Sequence, residues 1–90
     1  MEIEYKNQVT GFDFKTRTTN FSIEGTCRKN TSTGAINEFS ARVVRDGEPY
    51  QPNEVRLVNG EMKYFLQGLS ANEIAEVAGA IQVLVEEFTA

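Results

Sequence analysis

Cys27 is the only cysteine in this chain of 90 residues, and there is no histidine. Those two counts limit the chemistry. Without imidazole there is no Ser/His or Cys/His nucleophile pair, no histidine metal ligand, and no side chain that titrates near neutrality unperturbed. Cys27 is a nucleophile only if its pKa is depressed; Arg28 and Lys29, next in sequence, push in that direction. Cys27 also alternates with Phe21 and Ile23, and free cysteine is among the most buried residue types. A core thiol is therefore expected. A single cysteine forms no internal disulfide, so a reducing compartment and a cytoplasmic location are expected.

Paired carboxylates are the remaining route to acid–base catalysis. The candidates are Asp13, Glu24 and Glu38, which alternate with Lys15, Arg28 and Arg42. Cross-strand ion pairs on a wet sheet face explain that pattern without catalysis. The seven glycines are scattered and form no phosphate-cradling loop. No acids stand at the D-x-D-x-D spacing of an oxygen-ligated metal site. The expectation is no enzyme, no cofactor and no metal.

These residues sit on elements that the sequence outlines. Residues 2–6 alternate, with Ile3 and Tyr5 against Glu2, Glu4 and Lys6. Residues 11–16 repeat the pattern, with Phe12 and Phe14 inward. Residues 20–28 are the clearest strand, with Phe21, Ile23, Gly25 and Cys27 on one face. The polar stretch 29–34 reads as an exposed hairpin tip. Residues 35–45 read as a long strand with Phe39, Ala41 and Val43 inward; Ile36 is out of phase, which predicts a bulge. Residues 48–53 carry Pro49 and Pro52 and are placed outside the sheet, because proline removes ladder donors. Residues 54–58 and 61–66 pair across Asn59-Gly60, a type I′ turn signal, with Met62, Tyr64 and Leu66 inward.

Residues 70–89 read as one amphipathic helix opened by a capping box, Ser70-x-x-Glu73. Its apolar face collects Ile74, Val77, Ala78, Ile81, Leu84, Val85 and Phe88 within roughly 120° at 100° per residue. The fold class is thus α+β: one domain spanning 1–90, an antiparallel sheet of five or six strands covered by one C-terminal helix. A chain this short buries only roughly 60–65% of its unfolded surface, which leaves room for help from a partner subunit.

The net charge is −4 and unevenly placed. Residues 1–66 hold nine acids and nine bases, whereas 67–90 hold Glu73, Glu76, Glu86 and Glu87 and no base. An acidic helix discourages a phosphate backbone, whose binding needs Lys and Arg. No apolar run approaches the ~20 residues of a membrane helix. The N-terminus lacks the pattern of a signal peptide, so the sequons at Asn20 and Asn30 are read as chance matches.

Two surfaces remain for binding. On the helix's outer face Ala75, Gly79 and Val83 recur at i, i+4 and i+8, small enough for another backbone to approach; Val44 and Phe65 on the outer sheet face add a second contact. The alternative is a single-stranded nucleic-acid surface on the sheet, combining Lys15, Arg28, Lys29, Arg42 and Lys63 with Phe65 as the stacking platform. The closing stretch VRLVNGEMKYFLQGLSANEIAEVAGAI resembles, in element order, the PC4 and PUR-repeat families. Their units are an antiparallel sheet followed by one helix, and they pair as dimers; the resemblance implies that fold and sheet-face binding of single strands. A small, acidic, motif-free chain is also similar to accessory proteins of phages and mobile elements, including inhibitors of host defence. The leading expectation is a non-catalytic interaction module that acts through a protein partner and self-associates as a homo-oligomer.

Overall fold

The computed structural model describes residues 3–6, 11–30, 32–47 and 53–89. Glu2, Pro49, Pro52 and the side chains of Tyr5 and Lys6, all assigned from sequence, lie outside the described residues. The elements are β1 (Ile3–Lys6), β2 (Gly11–Arg17), β3 (Phe21–Lys29), β4 (Ile36–Arg45), β5 (Asn53–Val58), β6 (Glu61–Phe65) and α1 (Ala71–Thr89). Sheet order follows chain order and every neighbouring pair is antiparallel, giving a six-stranded meander under one helix. This is the expected α+β architecture.

Local chemistry explains most of these boundaries. At the β5–β6 turn Asn59 and Gly60 have φ of 52° and 80°, the left-handed pair that a type I′ hairpin requires. Between β3 and β4 the register steps from Arg28 opposite Glu38 to Lys29 opposite Ile36. Asn37 is the extra residue of a bulge, which accounts for the phase of Ile36. At the connecting tip, the Asn30 side-chain Oδ1 accepts from the N–H groups of Ser32 and Thr33, at 2.8 and 3.1 Å. The capping box closes in both directions: Ser70 N–H donates to Glu73 Oε1 at 2.9 Å, and Glu73 N–H donates to Ser70 Oγ at 3.2 Å.

One face of the sheet carries the core. Phe14, Phe21, Ile23, Cys27, Phe39, Ala41, Val43 and Val55 meet Val77, Ala80, Ile81, Leu84 and Phe88 of α1. The Phe88 ring packs against Phe12, Phe14 and Phe39, with centroids 4.9, 5.0 and 6.4 Å away. The expected set Phe39, Ala41 and Val43 is buried.

Two expectations are corrected. Asn53 is not outside the sheet: it is the first residue of β5, opposite Val43, and only 1% exposed. Its Oδ1 accepts the Gln67 N–H at 2.7 Å. A buried amide is tolerated where it satisfies a backbone donor, and here it fixes how the chain leaves β6. Ile74 is not a core residue; it is 43% exposed, and Ala80 is buried in its stead. The buried stripe is turned by about 50°, half the rotation per residue. The cause lies at the two ends of α1. Phe88 is held among the phenylalanines of β2 and β4, and Glu76 is drawn to the β2–β3 turn.

That second anchor belongs to a pair of carboxylate clamps. Glu73 accepts from Arg45 Nε and Nη2, both at 2.9 Å, and Arg45 Nη2 also donates to the Gly68 carbonyl at 3.1 Å. Glu76 accepts from the Thr18 hydroxyl, from Asn20 N–H at 2.9 Å and from Asn20 Nδ2 at 2.8 Å. The Ser70 N–H first, then the Arg45 guanidinium, hold the Glu73 carboxyl below the usual carboxylate range. The Thr18 hydroxyl, then Asn20, do the same for Glu76. A carboxyl with a depressed folded-state pKa stabilises the fold above its unfolded pKa of about 4.3. That contribution is lost as pH falls through the lower, folded value. Urea unfolding followed by circular dichroism should therefore show a midpoint that falls as pH drops from about 5 towards 3. In Glu76→Gln that slope should be shallower. An equal slope in wild type and variant would rule out Glu76 as a source of the acid sensitivity.

Candidate functional site

The thiol comes first, as the one nucleophile in question. Cys27 is fully buried in β3, opposite Phe12 and Phe39. Burial pushes its pKa up, and Lys29 offsets this only in part, so it is a protonated core thiol at neutral pH. Among the described residues no group of three His, Cys, Asp or Glu side chains is placed to hold a metal ion.

The second surface is the sheet face away from α1. Strand register builds a row across all six strands: Glu4, Lys15, Glu24, Arg42, Glu54 and Phe65. Each charge in the row faces the opposite sign on its neighbours, an arrangement that favours strand pairing. A neighbouring row runs Asp13, Thr26, Ser40, Arg56 and Lys63, with Thr26 donating to Asp13 at 3.0 Å. The outer positions among the described side chains hold six cations (Lys15, Arg17, Arg28, Arg42, Arg56, Lys63). They also hold six carboxylates (Glu4, Asp13, Glu24, Glu38, Glu54, Glu61). Among the described side chains the face is neutral. Its centre is a shallow depression of about 440 Å³ lined by Glu4, Asp13, Glu24 and Glu54 but by only two cations, Lys15 and Arg42.

This geometry separates the residues of the nucleic-acid alternative. Lys15, Arg42 and Phe65 do share one row, but Glu24 and Glu54 stand between them. Arg28 pairs with Glu38 at 3.5 Å and Lys63 with Glu61 at 2.8 Å. The Arg56 guanidinium lies over the Phe65 ring, 5.0 Å from its centroid, and also pairs with Glu54 at 3.1 Å. Lys29 is in phase with Cys27 on the helix side, opposite Ile36. Interleaved carboxylates in place of a basic groove give a polyanion little attraction.

The interface residues fall on two separate surfaces. Ala75, Gly79 and Val83 are exposed on the outer side of α1, and a Cβ added at Gly79 meets nothing within 4 Å. Val44 is partly buried on the outer sheet face opposite Ser22, and Phe65 lies at the β6 edge, 43% exposed.

That edge carries more than the sequence reading assigned to it. Tyr64 has the inward phase expected of it, opposite Val55, yet is 43% exposed. The ring contacts and hydrogen bonds of α1 reach β2, β4 and the β2–β3 turn; Met62 of β6 is partly buried against the core, whereas Tyr64, further along the strand, stays open to solvent. Strand β6 thus shows Tyr64 on one side and Phe65 on the other, and Val58 (36% exposed) lies opposite Glu61 at the hairpin end. Periodicity assigns the phase of Tyr64 but not the reach of the helix, and no sequence signal marks that reach.

No helix among the described residues is long and apolar enough to cross a membrane. No protein-family model matches the chain, and neither a curated protein nor a solved structure is significantly similar to it.

Proposed function

We propose that this chain is a non-catalytic interaction module that engages a protein partner at the β6 edge of its sheet. The observation that carries this reading is a last strand with one strand neighbour among the described residues and with aromatic side chains exposed on both of its sides. An exposed apolar edge strand is a template for pairing with another chain. An extended segment added there gains main-chain hydrogen bonds, and side-chain contacts on alternate faces give it specificity. A buried, protonated Cys27 and a charge-neutral outer face supply no competing catalytic or polyanion-binding arrangement. The unpaired thiol suits a reducing cytoplasm. A role as an accessory protein of a phage or mobile element belongs to the same proposal and rests on small size and acidity.

The test is affinity capture from the native cell with wild type, Val83→Glu and the double variant Tyr64→Lys/Phe65→Lys. One defined protein should be retained by wild type and by Val83→Glu, be insensitive to nuclease, and be lost with the double variant. Retention of nucleic acid that nuclease removes, together with tight, salt-sensitive binding of a labelled oligonucleotide, would reverse the assignment in favour of the sheet face.

A further inference from the structure

We infer that the β6 edge also takes a second copy of this chain, pairing antiparallel with its own β6 about a two-fold axis through Met62. The inference rests on the edge-binding reading above and names one occupant for it.

The backbone sets the first condition. In a two-residue hairpin the residues flanking the loop, here Val58 and Glu61, close the first hydrogen-bonded pair. By alternation Met62 and Tyr64 turn their N–H and C=O groups away from β5, to the side where β6 has no further strand among the described residues. Paired residues in an antiparallel ladder share a face, so a symmetric β6 pair places its axis on a residue. The choices within the strand are Met62, Lys63 and Tyr64.

Side-chain chemistry selects among them. An axis at Lys63 sets two ammonium groups directly opposite, which opposes pairing. An axis at Tyr64 sets Lys63 opposite Phe65 and Glu61 opposite Gln67, so neither charge of the strand meets its opposite. The Met62 and Tyr64 registers each keep three positions of β6 paired within the strand, the former ending beside Gly60 of the turn, so charge decides between them. An axis at Met62 sets Glu61 opposite Lys63 of the second copy, twice by symmetry. Those two groups are well exposed and already attract one another within the strand, at 2.8 Å. Complementary charge therefore marks the Met62 register. The pairing is isologous and closes at two copies, whereas a β1-to-β6 contact would propagate into a fibre. Its small contact area makes it a weak, concentration-dependent dimer.

Sedimentation of the whole chain from low micromolar to millimolar loading tests this. Wild type should dimerise. Glu61→Lys alone or Lys63→Glu alone should weaken the dimer by about tenfold or more, since two attractive cross-strand pairs become two repulsive ones. The double variant Glu61→Lys/Lys63→Glu should restore it. Met62→Pro should abolish it with an unchanged far-UV spectrum, because its N–H faces the open edge, where proline is tolerated. Under mild oxidation Met62→Cys should form a symmetric disulfide faster than Lys63→Cys or Tyr64→Cys, since opposed Cα atoms about 5.5 Å apart suit that bond. Wild type that stays monomeric, a dimer indifferent to Met62→Pro, or faster crosslinking at position 63 or 64 each overturns the inference. None of these results touches the capture of a different protein, which the Tyr64→Lys/Phe65→Lys comparison decides separately.

Discussion

Phe88→Ala is expected to leave the domain largely unfolded at physiological temperature. Phe88 is 3% exposed and its ring lies within 6.4 Å, centroid to centroid, of Phe12, Phe14 and Phe39. Removing a buried phenylalanine costs about 3–5 kcal/mol in lost transfer energy and residual cavity, plus the edge-to-face and tilted ring contacts. A small domain lies near the low end of the usual 5–15 kcal/mol, at about 5 kcal/mol. The loss also falls at the last turn of α1, so the helix loses one of its two anchors. Thermal and urea unfolding followed by circular dichroism measure it, with Phe88→Leu as the milder comparison. A Phe88→Ala midpoint equal to wild type would mean that the aromatic cluster does not hold α1 to the sheet.

The second large effect is at Gly25, and its sign is opposite to that of the same change at Gly79. Gly25 lies in β3 between Phe14 of β2 and Ala41 of β4. A Cβ built there falls 1.8 Å from the Ser40 carbonyl oxygen and 2.7 Å from the Ala41 Cα. Both are backbone atoms of the paired strand, so no side-chain rotation relieves the clash and β3 and β4 must part. Overpacking typically costs 1–3 kcal/mol. With backbone on the far side we expect Gly25→Ala to cost about 3 kcal/mol or more. At Gly79, in the middle of α1, the added Cβ meets open space, so Gly79→Ala should raise stability by about 0.5–1 kcal/mol through helix propensity. Unfolding free energies of the two variants, measured side by side, decide the matter. Little loss at Gly25 would show that the strands reseat at low cost. A loss at Gly79 would show that something packs on the outer helix face, and would bring the Ala75–Gly79–Val83 stripe forward as a contact surface.

Several features were legible in the sequence because their causes are local. A type I′ turn needs two residues that accept positive φ, and Asn59-Gly60 supplies them. A capping box needs a hydroxyl and a carboxylate three residues apart, and Ser70 and Glu73 meet that spacing. Strand phase follows from alternation alone, so the inward set Phe39, Ala41 and Val43 and the bulge that re-phases Ile36 could be read from the chain. The burial of Cys27 came from the same alternation.

What only the tertiary structure decided depends on where α1 lies. Helical periodicity gives an apolar arc but not its final rotation. The Glu76 bonds to the Thr18–Asn20 turn and the seat of Phe88 among three phenylalanines turned the arc, exposing Ile74 and burying Ala80. Along β6 Met62 packs against the core while Tyr64 stays open, so Tyr64 has the phase of a core residue and the exposure of a surface one. Asn53 was misplaced for a related reason. Proline predicts where a ladder is interrupted, but the residue after Pro52 entered the sheet because its amide found the Gln67 N–H, a partner 14 residues away. The charges of the outer face were visible one by one in the sequence. That Glu4, Lys15, Glu24, Arg42 and Glu54 alternate in sign along one row is a property of strand register, which sets neighbours that sequence distance does not.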